Sequence, residues 1–378
     1  MKNLGFRKVA LLHDWLTGFR GGERVLEAFA EVFLDAELYT LIHVPHSTSN
    51  IIEQRNIYAS FLNLIPNIKK HYRKFLPLMP LAAQNLKINP QVDFVLSSSH
   101  CVIKGVQKPA HSLHISYVHS PMRYLYDQFD VYFGKDAPFY QRWGALLFKK
   151  YLIAWDKRSN QNVDLMIANS HFVRERIKTY YGIEAMVLHP FVDLKDFRPW
   201  QNLATPVQKE DYYLMVTAFA PNKRVDLAIE AFNCMQKKLV IIGSGQQEAM
   251  LKKMAGPHIT FLGNVDRQKV IQTFVRARAL IFPGVEDFGI TPLESLAAGT
   301  PVIAYKKGGV LETLNEDVAH FFSEVSTRAM IQAVDEFEQR EAQFQREDLY
   351  QRAECFSKEV FVEKLQKIIL EFKENYNK

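Results

Sequence analysis

The chain has 378 residues, of which 48% are hydrophobic, and a formal net charge of +6 from 47 Lys and Arg against 41 Asp and Glu. This composition excludes an intrinsically disordered chain and supplies enough apolar residues for two ordinary domains. The charge is too mild to decide between a phosphorylated ligand, an anionic membrane surface or neither.

Three cysteines stand far apart in the chain, at Cys101, Cys234 and Cys355. Their odd number and spacing fit core thiols in a reducing compartment and give no metal-ligand pattern. The N-terminal stretch MKNLGFRKVALLHDW lacks the apolar core and cleavage site of a signal peptide. No run approaches the roughly 20 apolar residues that cross a bilayer. We therefore expect a cytoplasmic protein that at most rests on a membrane.

Short apolar runs alternate with longer helical patterns along the chain. The runs are KVALLHDW, DFVLSSS, LHISYVH and DLMIANS in the first half, then YYLMVTAF, KLVIIGSG, ITFLG, ALIFPG and PVIAYKKGG. This alternation predicts parallel sheets with crossover helices. The aperiodic stretch from Phe191 to Asp211 is the predicted domain boundary. We expect two doubly wound α/β domains, with ligands at the carboxyl ends of the strands, in the cleft between the domains.

Two motifs of the first half have more than one interpretation. TGFRGGERVLEAF places Gly21 and Gly22 between a strand and a helix, where their amides either bind a diphosphate or form a simple tight turn. NLIPNIKKHYRKFLPLMPL interleaves cations with apolar residues, which is typical of a segment resting on anionic lipid or of a solvated helix face. The cations are Lys69, Lys70, Arg73 and Lys74.

A third motif, ISYVHSPMRYLYD, places His119 at the end of a predicted strand. An imidazole at a strand end more often packs and hydrogen-bonds than reacts, so the residue pattern alone favours a structural role. Arg123 and Asp127 follow with the spacing of a helical ion pair.

In the second half, VTAFAPNKRVD places Lys223 and Arg224 directly before a helix. The two cations either bind an anion there or are simply solvated in a loop. KLVIIGSGQQEAM carries Gly243 and Gly245, but Glu248 stands where a dinucleotide fingerprint has its third glycine. We therefore exclude a nicotinamide site.

The stretch GVEDFGITPLESLAAGTPVIAYKKGG contains three carboxylates near the start of a predicted helix. Thr291, Pro292 and Glu294 fit an N-cap, a first-position proline and a capping-box acid, and Gly299 fits the helix stop. The loop that begins at Glu286 has no such explanation. Its carboxylates would accept hydrogen bonds from hydroxyls, and its amides would donate to others, so it suits a sugar or a ribose.

Glu286 and Glu294, with seven residues between them in PGVEDFGITPLESLAAGTPVIA and followed by GGVLETL, resemble the hallmark of the retaining family 4 glycosyltransferases, which have the GT-B fold. The resemblance extends over nearly the whole chain, through HDWLTGFRGGERVLEAF, SYVHSPMRYLYD, MIANSHFVRERIKTYYG, LHPFVDLKDFRP, PNKRVDLAIEAFN and ECFSKEVFVEKLQKII. In particular, the chain resembles bacterial mannosyltransferases that use GDP-mannose to build O-antigen, capsule or exopolysaccharide repeats. This implies an acceptor domain over 1–200, a nucleotide-sugar domain over 201–355, and a helix over 356–378 that packs back on the first domain.

The resemblance also implies roles for single residues. Glu286, His119 and Lys223 would act at the reaction centre, with Glu286 positioning the donor sugar. Arg123 and the four cations near residue 70 would face the acceptor or the membrane. The donor would also contact Gly21, Gly22, Arg224, Gly243, Gly263, Val265, Asp287, Phe288, Gly289, Ile290 and Glu294.

One position departs from the family pattern. Ala218 stands where family members usually carry an arginine that binds the diphosphate together with the lysine. Either Arg224 supplies the missing cation, or Lys223 and backbone amides neutralise more of the negative charge of the diphosphate.

The expected activity is therefore retaining hexosyl transfer without a metal ion or other cofactor. The expected partners are a nucleotide sugar, a glycan or polyprenyl-linked acceptor and the inner face of the membrane, with no role for nucleic acid. Three alternatives remain: a UDP-sugar-dependent transferase, a sugar-nucleotide epimerase or hydrolase on the same fold, and a non-catalytic sugar-nucleotide or membrane-binding module.

Overall fold

The computed structural model describes residues 4–127, 129, 139–203, 205 and 207–376. The chain divides into two compact units, the first made of Met1–His189 with Val362–Lys378 and the second of Pro190–Phe361. The first unit ends ahead of the predicted boundary at residue 200. Two residues of the predicted linker, Ala204 and Pro206, lie outside the described residues.

The first unit contains a seven-stranded parallel sheet in the order β3-β2-β1-β4-β5-β6-β7. Its central strands β1, β4 and β5 are almost wholly buried, as expected in a parallel sheet. The strands are β1 Val9–Leu16, β2 Glu37–His43, β3 Ile57–Ala59, β4 Phe94–Ser99, β5 Leu113–Val118, β6 Leu165–Ala168 and β7 Met186–Val187. The helices are α1 Gly21–Val32, α2 Asn50–Glu53, α3 Ile68–His71, α4 Met79–Asn85, α5 Phe139–Ser159 and α6 His171–Tyr181.

The second unit contains a six-stranded parallel sheet in the order β10-β9-β8-β11-β12-β13. The strands are β8 Tyr213–Val216, β9 Leu239–Ile242, β10 Ile259–Gly263, β11 Leu280–Phe282, β12 Val302–Tyr305 and β13 Ala319–Phe322. The helices are α7 Arg198–Gln201, α8 Val225–Met235, α9 Glu248–Met254, α10 Arg267–Arg276, α11 Ile290–Ala297, α12 Val310–Thr313, α13 Thr327–Arg340 and α14 Arg346–Glu354. The predicted α/β architecture with two doubly wound sheets is confirmed.

The last helix, α15 (Lys358–Tyr376), returns the chain to the first unit. Leu365 and Ile369 on this helix are fully buried. Near its end, the Lys373 ammonium donates to the carbonyl oxygens of Leu4 and Gly5, at 3.0 and 2.7 Å. Apolar burial and these two hydrogen bonds hold the helix against the start of the chain.

Local sequence accounts for several helix ends. The Ser170 hydroxyl accepts from the amide of Val173 at 3.0 Å and caps α6, which ends at Gly182 in a left-handed conformation with φ 70°.

The cysteines differ from the expectation of core thiols, because only Cys101 is buried, whereas Cys234 and Cys355 are exposed.

Strand order reverses once in each sheet, between β1 and β4 in the first unit and between β8 and β11 in the second. The connections after the paired strands run in opposite directions at such a point and leave a crevice at the carboxyl ends of the strands. These two places are where each sheet can bind a ligand.

Candidate functional site

The first unit has a pocket of about 330 Å³ beside its strand-order reversal. β1 and the loop after it form one part of the lining, and α1 and the loops after β4 and β5 form others. Aromatic and charged groups face the same space. The lining is His13, Trp15, Thr17, Gly18, Arg20, Gly22, Glu23, Tyr72, Arg73, His100 and His119.

The glycine pair at the start of the chain lies inside a helix. Gly21 and Gly22 are the first two residues of α1, so the interpretation of a tight turn is wrong. A Cβ at Gly22 would lie 3.4 Å from Cε1 of His13 and 3.7 Å from Nε2 of His119. The glycine lets the amino-terminal turn of α1, the positive end of the helix dipole, approach both imidazoles closely.

His119 belongs to a buried polar chain. The Ser98 hydroxyl lies 2.8 Å from His119 Nε2 and 3.1 Å from His13 Nδ1. Burial lowers the pKa of His119 well below its ordinary value, and the nearby His100 and His13 lower it further. At neutral pH, His119 is therefore an uncharged imidazole that both donates and accepts hydrogen bonds.

Asp14 organises the loop after β4. Its carboxylate is fully buried and accepts four backbone hydrogen bonds, from the amides of residues 100–103, at 2.7 to 2.9 Å. His100 Nδ1 lies 3.3 Å from the same carboxylate. The sequence interpretation did not assign His13, Asp14 or His100, although the polar pair HD inside a buried strand was a visible signal.

Lys223 and Glu286 form an ion pair in the second unit. Lys223 ends a 3-10 turn, Pro221–Lys223, after β8, and Glu286 follows the neighbouring strand β11. Each side chain is only about one-fifth exposed, at 20% and 21%. The structure therefore brings together two predicted site residues that are distant in the sequence, at the strand-order reversal.

Gly284 makes this contact sterically feasible. A Cβ at this position would lie 2.6 Å from the carbonyl oxygen of Asn222 and 2.9 Å from Cα of Lys223. Real Cβ atoms essentially never come within 3.0 Å of such atoms. Only glycine allows the turn with Lys223 to pack this closely on the loop with Glu286.

The acidic loop is held from its other side by Gly308 and Gly309. The amide of Gly309 donates to the carbonyl oxygen of Glu286 at 2.9 Å, and Gly308 has φ 91°. Asp287 and Phe288 are 7% and 3% exposed. Their buried side chains leave mainly backbone groups of the loop to meet a ligand.

The capping-box interpretation of Glu294 is wrong. α11 begins at Ile290, after Gly289 with φ 97°, so Thr291 is inside the helix. The Glu294 carboxylate instead accepts from Arg267 Nη1 at 2.6 Å. Burial alone would lower the pKa of Arg267, but the carboxylates of Glu294 and Asp196 raise it above its ordinary value. Gly299, with φ 68°, does follow the helix end as predicted.

Arg224 does not share the contact of Lys223 with Glu286. Its backbone is left-handed, with φ 53°, and its guanidinium lies 3.2 Å from the carboxylate of Asp226. Ala218, where the family arginine is missing, is exposed. Lys223 is therefore the better-placed cation of the two.

The glycines after β9 and at the end of β10 line up at the same edge of the second sheet. The amide of Gly243 donates to the carbonyl oxygen of Gly263 at 2.9 Å. A Cβ on Gly243, which has φ 136°, would lie 1.9 Å from the carbonyl oxygen of Thr217, the residue that follows β8. Val265, just after β10, is half-buried.

The four cations of the predicted basic segment near residue 70 do not all have the same surroundings. Lys69, Lys70, Arg73 and Lys74 are all exposed, but Arg73 lines the pocket of the first unit. Farther along, Arg123 is half-buried, and Asp127 accepts a hydrogen bond from Arg176 Nη2 at 2.8 Å. Within the described residues, no helix is long and apolar enough to cross a membrane.

Comparisons with known proteins cover both units. A model described as Glycosyltransferase Family 4 matches residues 19–196, and one described as Glycosyl transferases group 1 matches residues 198–355. The chain is 28% identical to the human alpha-1,3/1,6-mannosyltransferase ALG2 over 242 residues, which cover 54% of this chain and 58% of that protein.

A second relative is the GDP-mannose-dependent alpha-(1-6)-phosphatidylinositol dimannoside mannosyltransferase of Mycobacterium tuberculosis. It is 30% identical over 177 residues, which cover 42% of this chain and 45% of the relative. The chain thus spans about half the length of the curated relatives it matches. Among solved structures, sucrose-phosphate synthase from Thermosynechococcus elongatus superposes with a TM-score of 0.71 at 18% identity, covering 96% of this chain and 98% of that one.

Proposed function

Because the chain belongs to the family 4 glycosyltransferases with the GT-B fold, we propose that it is a retaining mannosyltransferase. It moves mannose from GDP-mannose onto a lipid-linked or oligosaccharide acceptor in the synthesis of a cell-surface polysaccharide. The observation that carries the proposal is the contact between Lys223 and Glu286 at the strand-order reversal of the second unit. The names of two relatives, one of them GDP-mannose-dependent, support mannose as the sugar.

The leaving diphosphate is stabilised by cationic and backbone groups. Breaking the bond between mannose and GDP develops negative charge on the diphosphate and positive charge on the sugar. In the second unit, Lys223 supplies an opposing charge. In the first unit, the amino-terminal amides of α1 at Gly21 and Gly22 offer hydrogen-bond donors to an anion on the positive end of a helix. Since these groups neutralise the charge, we propose that the reaction needs no metal ion.

Each unit contributes one group that suits a sugar hydroxyl. In the second unit, the Glu286 carboxylate accepts hydrogen bonds from sugar hydroxyls, and in the first unit the neutral imidazole of His119 can bond a hydroxyl of a ligand in its own pocket. In the proposed retaining reaction, the acceptor hydroxyl attacks from the face that the diphosphate leaves and gives its proton to the diphosphate. Glu286 therefore positions the sugar and forms no covalent intermediate.

We further propose that the first unit rests on the inner face of the membrane. Among its described side chains, α5 exposes five large hydrophobic ones between residues 143 and 151. Four of them lie on one side of the helix by their spacing, and we call them the α5 apolar face: Trp143, Leu146, Leu147 and Tyr151. The fifth is Phe148. Trp143 and Leu147 are 66% and 69% exposed. Exposed lysines, Lys69, Lys70 and Lys74, lie on a segment that packs on the same core cluster as the buried end of α5. Indole and aliphatic groups with nearby cations suit an anionic lipid surface.

Thermal stabilisation by nucleotides tests the donor. GDP and GDP-mannose should raise the melting temperature more than UDP, ADP or their sugar conjugates, and should do so in EDTA. Stronger stabilisation by UDP-sugars would favour the UDP-dependent alternative. Release of free sugar or an epimer without any acceptor would identify a hydrolase or epimerase, and tight GDP binding without turnover on any acceptor would identify a binding module.

Liposome flotation tests the membrane contact. Reversing Lys69, Lys70 and Lys74 to Glu should release the protein from anionic vesicles, because each cation near such a surface contributes about 1 kcal/mol. Reversal of three exposed second-unit lysines, Lys252, Lys253 and Lys307, is the matched control and should leave flotation unchanged. Equal flotation of all three proteins would contradict membrane binding by this segment.

A further inference from the structure

Ser98 stands between two histidine rings in the first unit. Its hydroxyl lies between His13 Nδ1 and His119 Nε2, at 3.1 and 2.8 Å, and the side chains of Ser98 and His13 are fully buried. A hydroxyl has a single proton, so it can donate to at most one of the two imidazoles, and the other ring can bond it only as a donor. The proton positions on the two rings are therefore not independent.

Glu23 lies at the other end of this chain. Its Oε1 is 3.9 Å from His13 Nε2, a nitrogen that is buried and has no hydrogen-bond partner among the described residues. This distance is too long for a hydrogen bond, but a buried carboxylate still attracts an N–H and repels a lone pair. Burial alone would raise the pKa of Glu23, but His13, a backbone hydrogen bond and His100 together outweigh it, and the pKa lies below its ordinary value. Glu23 is therefore negatively charged at neutral pH.

Other titratable groups beside the chain have their own partners. Asp14 is saturated by the four amides of residues 100–103 and also faces His100. The ring centre of His100 lies 5.6 Å from the ring centre of His13 and 6.2 Å from that of His119. Burial lowers the pKa of His100 below its ordinary value, which makes this ring neutral. Glu23 is thus the charged group with the most direct influence on His13 Nε2.

We propose that Glu23 sets the tautomer of His119 through His13 and Ser98. His13 carries its proton on Nε2, facing Glu23, and its Nδ1 accepts from the Ser98 hydroxyl. The Ser98 oxygen then accepts from Nε2–H of His119. The neutral ring of His119 consequently presents Nδ1 as a hydrogen-bond acceptor.

This tautomer has a consequence for substrate binding, which rests on the proposed function. An acceptor nitrogen on His119 requires a donor on the ligand, and a sugar hydroxyl is such a donor. Glu23 and Ser98 are positioning residues in this account, because they act on the ligand only through His119. Glu23 also accepts from the amide of Arg20 at 2.9 Å, a bond that Gln at this position can keep through its carbonyl oxygen.

Nitrogen NMR of the labelled full chain tests the tautomer without any substrate. Long-range proton–nitrogen correlations distinguish protonated from unprotonated ring nitrogens, and His13→Gln and His119→Gln assign the two rings. We expect His119 to be protonated on Nε2, and Ser98→Ala or Glu23→Gln to shift it toward a mixture of tautomers. Ser98→Thr, which keeps the hydroxyl, should restore the original state.

Ser97→Ala is the matched control. Ser97 is an equally buried neighbour whose hydroxyl lies 2.9 Å from a different histidine, His114, so its loss should leave the His119 signals in place. Protonation of His119 on Nδ1 in the unmodified protein would overturn the proposal. An unchanged tautomer in both Ser98→Ala and Glu23→Gln would also overturn it.

Kinetics separate this inference from the proposed function. If the tautomer positions the sugar, kcat with GDP-mannose should fall roughly tenfold in Ser98→Ala and Glu23→Gln, a factor equivalent to one neutral hydrogen bond. Ser98→Thr should recover most of the rate. The expected NMR change with an unaltered rate would support the tautomer and refute the role of His119 in sugar binding.

Discussion

Replacing Gly284 with alanine should displace Lys223 from Glu286. The new Cβ would lie 2.6 Å from the carbonyl oxygen of Asn222, and the closest distance that real Cβ atoms tolerate is 3.0 Å. The turn with Lys223 must therefore retreat by at least about 0.4 Å, the difference between 3.0 and 2.6 Å. Both contacting atoms belong to backbone, so no flexible side chain can absorb the shift.

The displacement should weaken both folding and transfer. Overpacking of this kind costs about 1–3 kcal/mol of stability. A misplacement approaching 1 Å near reacting groups can cost about 100-fold in rate, so we expect a loss of transfer of roughly ten- to 100-fold. Melting temperature and GDP release with an acceptor present measure the two effects. Gly144→Ala is the control, because a Cβ at this helical position meets nothing within 4 Å.

Two results would refute this reasoning. Wild-type stability and rate in Gly284→Ala would show that the turn is not constrained by this glycine. Lost stability with an unaltered rate, after correction for the folded fraction, would show that the position of Lys223 does not matter for transfer.

Three further predictions concern single side chains. Glu286→Gln should lower transfer by about 100-fold or more with little change in GDP affinity measured by calorimetry, and equal loss of both would contradict a sugar-binding role. Glu294→Gln should weaken GDP binding if Glu294 holds the ribose. A lower melting temperature with unchanged GDP binding would show that Glu294 serves only to stabilise the fold through its ion pair with Arg267. Burial lowers the pKa of Lys209 from its ordinary value of 10.5 to about 7. Between these two pH values the side chain is neutral in the folded protein but protonated in the unfolded chain. The free energy of unfolding should therefore rise with pH over this range. Lys209→Met should flatten that rise in denaturation curves at pH 7 and pH 9, and an unchanged slope would contradict the shift.

The sequence predicts the architecture well because the relevant signals are local. Buried parallel strands appear as short apolar runs, and crossover helices as longer periodic patterns. The polar motifs after β8 and β11 follow these runs directly. Since consecutive parallel strands end at the same edge of a sheet, the general location of a ligand site follows from the pattern alone.

The pairings between distant residues could not be predicted in the same way. Glu294 fitted a capping box by its spacing, but Gly289 adopts φ 97° and starts the helix early, and Arg267 occupies the carboxylate. The chain from Glu23 through His13 and Ser98 depends on the register of β1 and β4, which pairs His13 with Ser98. Strand register is a tertiary property, so no local pattern showed it.

The most direct test of the central claim is the anomeric configuration of the product. GDP-mannose and a polyprenyl-linked oligosaccharide are incubated with the protein in EDTA, and the new linkage is assigned by NMR. We predict release of GDP and a mannoside with the same anomeric configuration as the donor, with both lost in Glu286→Gln. A product of inverted configuration, or formation of the product only with a divalent metal, would contradict the account.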